Sequence, residues 1–434
     1  MSGNTKNLPI QSIRDIQKAN NKLLDYQIIG RTPQKRRLDV VIIGKLKDPK
    51  LKIFIIAGQH GDEKISRNAT ERLISHLIKS KAKEFPDVSI AILSNANPDG
   101  ASNNTRRTAE NIDMNRNHLL LSARENRLIH SFIGSWKPNL IVDVHTYPPT
   151  RKFLEKKNYV FPHDLFVDWP TNSGVRRMLE TVKFDNLIKD IQADLDPHKY
   201  LCDRYVLINP DGKIRHSTND IVDARNFLSL RYDILTILLE GREPLPEEDQ
   251  KIQTQRTVFA LNYGLLSIIK WAINNNSLLT DNSNLISYKP GDNIAIRFTY
   301  NKPDKKYKIN FENKVTKKIE EEVFSNYPYS LRVARRVRMP YAYAVPIKKE
   351  KTINLLHRHG FLSKRNTESD LFLIQKYLVL SRTSRKAKGK PRPPRNVRLI
   401  STEEEDTLSD YEIFLTSQEG GHSLPFLLEP QSEY

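Results

Sequence analysis

The chain reads as an α/β protein, a sheet covered by helices on both faces, followed by a smaller β-containing α+β region. Three observations predict this. Short apolar runs bounded by Gly, Asn, Pro or charge recur through the first 276 residues, and such runs suit strands buried on both faces. Amphipathic helical patterns fall between them. After about Asn276 strict period-two alternation takes over, the mark of antiparallel strands with one polar face.

Taken in order, the strands are "DVVIIG" from Asp39, "KIFIIAG" from Lys52, "VSIAILSN" from Val88, "LIVDVH" from Leu140 and "ILTILLEG" from Ile234. Two helices are clearest. "ISRNATERLISHLIKS" sets Ile65, Ala69, Leu73 and Leu77 on one face, and "VFALNYGLLSIIKWA" does the same with Val258, Leu261, Leu265, Ile269 and Ala272. Beyond Asn276, "NIAIRFTY" alternates Ile294, Ile296, Phe298 and Tyr300, and "YKINF" alternates Tyr307, Ile309 and Phe311. With Pro303 and Asp304 between them, these two are expected to pair as a hairpin. One helix is expected around "TINLLHRHG".

At 434 residues two domains are expected, 1–276 and 277–434. No run approaches the roughly 18 apolar residues of a membrane span, and "MSGNTKNLPIQSIRDIQKANNKLL" has no apolar h-region, so a cytoplasmic protein is expected. Cys202 is the only cysteine, which excludes an intrachain disulfide and a zinc site built from thiolates. Metal ligands must come from His, Asp and Glu. The net charge of +19 attracts polyanions without choosing among nucleic acid, anionic lipid and acidic substrates. "RTSRKAKGKPRPPR", Arg382 to Arg395, carries many cations and no acid and is read as an exposed basic loop, with a polyanion contact as the sharper alternative.

The chemistry concentrates where apolar runs end. "IIAGQHGDEK" closes a buried strand on His60 and Glu63, a histidine and a carboxylate three apart. In an open α/β sheet the carboxyl ends of strands border the ligand crevice. "LIVDVHTYPP" stops at His145, since Pro148 and Pro149 prevent the strand from continuing. Two histidines and one carboxylate form the set that leaves one zinc position open for water. Between the ligands lies "NPDGASNNTRRTAENIDMNRNH", whose Asn and Arg suit forked recognition of carboxylates. Glu240 closes a further buried strand in "ILTILLEGRE".

The order H-x-x-E, "NPDG", Arg, "DMNRN", "DVH" and a strand-end Glu resembles the zinc carboxypeptidases of the carboxypeptidase A type. It is also similar to their relatives that hydrolyse N-acyl amino acids, such as succinylglutamate desuccinylase. "DARNFLSLRYDILTILLEGRE", "RMPYAYAVP", "HRHGF" and "FLLEPQSEY" look like a microbial branch with a C-terminal extension. The resemblance implies a mixed, mostly parallel central sheet flanked by helices, and one zinc ion per chain held by His60, Glu63 and His145. It makes Glu240 the general base and Arg106 the oxyanion stabiliser, with Arg107 a rival. Asn115 and Arg116 become the clamp on a substrate's terminal carboxylate, and Asp113 the acid that orients a zinc histidine. Met114 stands where the family usually has leucine. Tyr205 is a candidate for the family's mobile tyrosine, at a longer spacing from Glu240 than is usual.

The activity implied is removal of a C-terminal residue from peptides. An amidohydrolase acting on N-acyl amino acids would share every residue named, and a noncatalytic polyanion-binding protein is the reading from another class. The closely spaced His357 and His359, and Cys202, which lies in no motif, are read as structural.

Overall fold

In this computed structural model the described residues are 23–80, 82–172, 174, 184–215, 221–280, 288–301, 305–327, 331–365, 372–382 and 397–432. The basic segment 383–395 and the Pro303–Asp304 turn lie outside them. Eight strands make the central sheet: β1 (Leu24–Arg31), β2 (Arg37–Gly44), β3 (Leu51–Ala57), β4 (Val88–Leu93), β5 (Leu140–Tyr147), β6 (Leu165–Asp168), β7 (Cys202–Arg204) and β8 (Leu235–Arg242). Their spatial order is β1-β2-β4-β3-β5-β8-β6-β7. The middle run β4-β3-β5-β8 is parallel throughout, as is β6-β7, while β1-β2, β2-β4 and β8-β6 are antiparallel. The sheet is therefore mixed and mostly parallel, as expected.

Every residue of β4, β5 and β8 is buried, because helices cover both faces. Alternate residues serve the two faces. Ile53, Ile55, Val142, Val144, Ile237 and Leu239 pack against helices Lys64–Lys79, Phe184–Leu195 and Gln250–Asn274. Phe54, Ile56 and Ile141 face the opposite way, against Ile129, Phe132 and Ile133 of helix Arg124–Trp136 and Leu228 of helix Ala224–Tyr232. This alternation puts Asp143, His145 and Glu240 on the second side.

The expected hairpin is not formed. Strand Asn293–Tyr300 pairs with Leu331–Arg338, and Lys305–Asn313 pairs with Ile319–Tyr327 and with the short strand Tyr159–Val160. The physical reason is that their apolar faces have different destinations. Ile294, Ile296 and Phe298 join Leu119, Phe227, Leu230 and Phe426, whereas Ile309 and Phe311 join Tyr147, Phe161 and Phe166. The residues after 276 thus share two hydrophobic clusters with residues before it. Helix Glu350–Arg358 forms where "TINLLHRHG" places it.

Candidate functional site

The site is built on the carboxyl ends of β3, β5 and β8. Beyond β3 the chain turns through Gly58 at φ 69°, a left-handed conformation that glycine adopts at no steric cost. It then passes Gly61, whose position leaves no room for a Cβ against the backbone of Gly100, Ala101 and Thr105. His60 and Glu63 are held between these points, and helix Lys64–Lys79 begins immediately after.

His60, Glu63 and His145 converge. One ligand atom from each lies within 4.8 Å of the others, and all three residues are buried. The Nδ1 of His60 is 2.5 Å from Glu63 Oε1, and the Nδ1 of His145 is 2.9 Å from Glu63 Oε2. The outer ring nitrogens each meet an acid: Nε2 of His60 lies 3.3 Å from Asp113, and Nε2 of His145 lies 3.0 Å from Asp143. Carboxylate partners of this kind fix the ring orientation and raise the basicity of the inner nitrogen. Burial opposes charge on both imidazoles, but the surrounding carboxylates overcome it and hold both above the ordinary histidine value. Burial likewise favours neutral Glu63, yet His145 and His60 hold it down to about 2. A dense, buried cluster of two inner imidazole nitrogens and one ionised carboxylate fits a divalent cation with one open position.

Glu240 is the register partner of His145 in the parallel β5-β8 pair. Directly opposed residues in a sheet point to the same face, so its carboxyl shares the face of the cluster. It is 8% exposed, and burial pushes it up to about 8 against the opposing field of His145. Its Oε2 makes no hydrogen bond among the described residues.

The two arginines separate cleanly. Arg106 donates from Nε to Asp113 at 3.1 Å and carries Nη1 3.8 Å from Glu63 Oε1, while Arg107 donates to the carbonyl of Asn111. Asp113 therefore links Arg106 to His60. Asn115 lies in the short 3₁₀ turn Met114–Arg116. Its Oδ1 accepts from the Ala224 amide at 2.9 Å, and its Nδ2 is 3.1 Å from Nε2 of His145. Arg116 folds back to donate to the Asn115 carbonyl at 2.6 Å.

The anchor of Asn115 is itself braced. Ala224 opens a helix capped by Asp223, and the next residue, Arg225, is fully buried with Nη1 2.5 Å from Asp168 at the end of β6. Arg204 on β7 donates to the other Asp168 oxygen at 3.1 Å. Tyr205 lies buried beside this network, in the electrostatic reach of Glu240, Arg151, Arg225 and Arg116. His357 and His359 make their contacts elsewhere. His357 contacts the Phe361 carbonyl at 3.2 Å, and His359 donates from Nε2 to the Leu119 carbonyl at 2.8 Å. Cys202 is buried, and burial pushes its thiol up, away from the reactive thiolate.

Asp143 was not singled out among the site residues of the sequence. Its signal was available, because an acid two residues before a strand-end histidine lies on the same face.

Residues 10–147 match the family model described as zinc carboxypeptidase. Carboxypeptidase 2 of Trichophyton rubrum is 28% identical over 151 residues, which cover 33% of this chain and 28% of its own length. Carboxypeptidase 2 of Trichophyton tonsurans is 28% identical over 158 residues, covering 35% and 29%. The matches thus span less than a third of these curated relatives. Among solved structures, a metallo-carboxypeptidase from Pseudomonas aeruginosa is similar at 18% identity and TM-score 0.46, over 62% of this chain and 69% of its own. One from Burkholderia cenocepacia is similar at 17% and 0.44, over 61% and 69%. The matched segment contains His60, Glu63, Asp113 and His145, and Glu240 lies beyond it.

Proposed function

We propose that the chain is a zinc metallocarboxypeptidase that hydrolyses the C-terminal amide bond of peptides. The observation that carries this reading is the convergence of both Nδ1 atoms on Glu63, with Glu240 beside His145 on the same face of the neighbouring strand. His60, Glu63 and His145 would hold the ion. Zinc in such a set supplies a Lewis acid that polarises the scissile carbonyl and makes water a nucleophile near neutral pH.

The protein's own groups do the rest. Glu240 takes the proton of the attacking water and returns it to the leaving amine nitrogen. A carboxyl raised toward 8 by burial is suited to both transfers near neutrality. Arg106, which reaches from Asp113 toward Glu63, presents a cation to the charge that develops on the carbonyl oxygen. Asn115 and Arg116 hold the terminal carboxylate of the substrate, and Asp113 holds the His60 ring. The same proposal assigns the chemistry to residues 1–276 and gives residues 277–434 a buttressing role, supported by the two shared hydrophobic clusters. Among the described residues, no helix is long and apolar enough to cross a membrane.

The test is mass spectrometry of a mixed pool of peptides and N-acyl amino acids incubated with the zinc-loaded chain, with Glu240→Gln alongside. Loss of single C-terminal residues, absent in the variant, is the expected result. Cleavage confined to the N-acyl amino acids moves the assignment to an amidohydrolase. Cleavage of neither substrate leaves polyanion binding as the reading to pursue.

A further inference from the structure

Strands Asn293–Tyr300 and Leu331–Arg338 form an antiparallel ribbon whose sequences, "NIAIRFTY" and "LRVARRVR", contain five arginines and no acid. The proposed chemistry uses none of this charge. Val333 and Val337 pack inward with Ile294, Ile296 and Phe298. Strand residues alternate between faces, so Arg332, Arg336 and Arg338 stand on the opposite face, and all three are exposed. Arg336 donates from Nη1 to the Asn293 carbonyl across the ribbon at 3.5 Å. Among the described residues none of the three makes an ion pair. Arg335, exposed beside them, lies in the field of Glu429 and is not counted with this face. Like charges held on one sheet face repel, and an anionic ligand relieves that cost.

The ribbon is seated on the support of the carboxylate clamp. Its inner face packs against Leu119, in the loop just beyond Arg116, and against Phe227 and Leu230 of the helix whose first residue, Ala224, anchors Asn115. From Ala224 to Leu230 is about 9 Å along the helix, and a layer packed on it adds about 10 Å. Roughly six extended residues at about 3.3 Å each cover that path. Arginines at alternate positions of a strand recur about every 6.6 Å, as do carboxylates at alternate positions of an extended acidic peptide, and the guanidinium fork matches a carboxylate. Two features favour a peptide over nucleic acid. The residues that alternate with Ile294, Ile296 and Phe298 are Asn293, Ala295, Arg297 and Thr299, so this strand offers the outer face no aromatic ring on which bases could stack. Among the described residues the two strands form a sheet of their own, which leaves the outer edge of Leu331–Arg338 without a strand partner, as main-chain pairing with an extended segment requires.

We propose that Arg332, Arg336 and Arg338 form a docking surface for an acidic segment of the peptide substrate, roughly six residues on the amino side of its C-terminal residue. This rests on the carboxypeptidase reading above and adds a substrate class to it.

The experiment compares two peptides that share their last three residues, preceded by a run of Glu in one and of Gln in the other. Each is incubated with the zinc-loaded full-length chain, as the wild type and as the triple variant Arg332→Gln, Arg336→Gln, Arg338→Gln. Exposed Arg–carboxylate pairs are individually weak, so three together should lower KM for the Glu peptide on the order of 10-fold, with kcat unchanged. The triple variant should lose that preference yet cut the Gln peptide as the wild type does, which also shows that it folds. High salt should erase the wild-type preference. Fluorescence anisotropy of a labelled Glu peptide with an amidated C-terminus reads the surface without turnover, beside a labelled single-stranded oligonucleotide. Equal KM for both peptides in the wild type, or a preference that survives in the triple variant, overturns the proposal. So does oligonucleotide binding that the substitutions abolish while the Glu peptide goes unbound. Cleavage of neither peptide overturns the carboxypeptidase reading instead. Anisotropy then decides the surface by itself: binding of the Glu peptide lost in the triple variant supports it, and no binding to the wild type overturns it.

Discussion

Replacing Gly61 with alanine tests whether the turn bearing His60 and Glu63 is set by backbone contact. A Cβ at this position would stand 2.1 Å from the Gly100 carbonyl carbon, 2.3 Å from the Ala101 nitrogen and 2.5 Å from the Thr105 oxygen, while ordinary contact begins at 3.4 Å. One side must retreat by about 1.3 Å, and both sides are backbone, so no rotamer change absorbs it. The Gly61 amide also points to the Arg106 carbonyl at 3.4 Å, so the retreat separates the metal cluster from the arginine that faces it. Overpacking of this kind costs about 1–3 kcal/mol of stability, and misplacing reacting groups by about 1 Å lowers turnover by roughly 100-fold. Gly134, in helix Arg124–Trp136, is the control: a Cβ there meets nothing within 4 Å. Gly134→Ala should gain about 0.5–1 kcal/mol from helix propensity. Urea unfolding, chelator competition and peptide turnover would be measured for both variants. Wild-type stability and zinc affinity in Gly61→Ala would refute the argument that this contact sets the ligand turn.

Three further outcomes are expected. Glu240 is held at about 8 in the folded chain against an ordinary 4.5, so the folded state binds more protons between those values, and stability falls as pH rises through that window. In metal-free protein Glu240→Gln should remove that fall, a difference on the order of 3 kcal/mol by pH 7, seen as a flatter pH dependence of urea unfolding; identical slopes would count against it. Arg106→Lys should lower kcat more than Arg107→Lys, because only Arg106 faces the cluster; equal effects in steady-state kinetics would remove Arg106 from its role. Asp168→Ala leaves Arg225 buried without its closest carboxylate and should cost about 3–5 kcal/mol, read as a lowered Tm accompanied by weaker binding of substrates with a free carboxylate.

Much of the central sheet is legible in the sequence, since buried parallel strands show as near-continuous apolar runs; five such runs are β2, β3, β4, β5 and β8. Strands β6 and β7, of four and three residues, are too short to carry a pattern. Alternation in 293–300 and 305–313 identifies which face is apolar but not which partner covers it, and the misread hairpin follows from that gap. The candidate ligands are legible because a strand end confines them to a few positions. Choosing between Arg106 and Arg107 needs the direction of each side chain. The contacts of His118 with Gln59 and with His130 join residues up to 71 positions apart, which no local spacing encodes.

The pairing of β5 with β8 has a consequence for the order in which the molecule comes into being. His60, Glu63 and His145 all lie within the first 147 residues, whereas Glu240 arrives on a strand that must insert between β5 and β6. Closing that parallel pair spans roughly a hundred residues of intervening chain, a slow, non-local step in folding. Under the proposed function, synthesis therefore supplies the three metal ligands well before the base that is to act beside them.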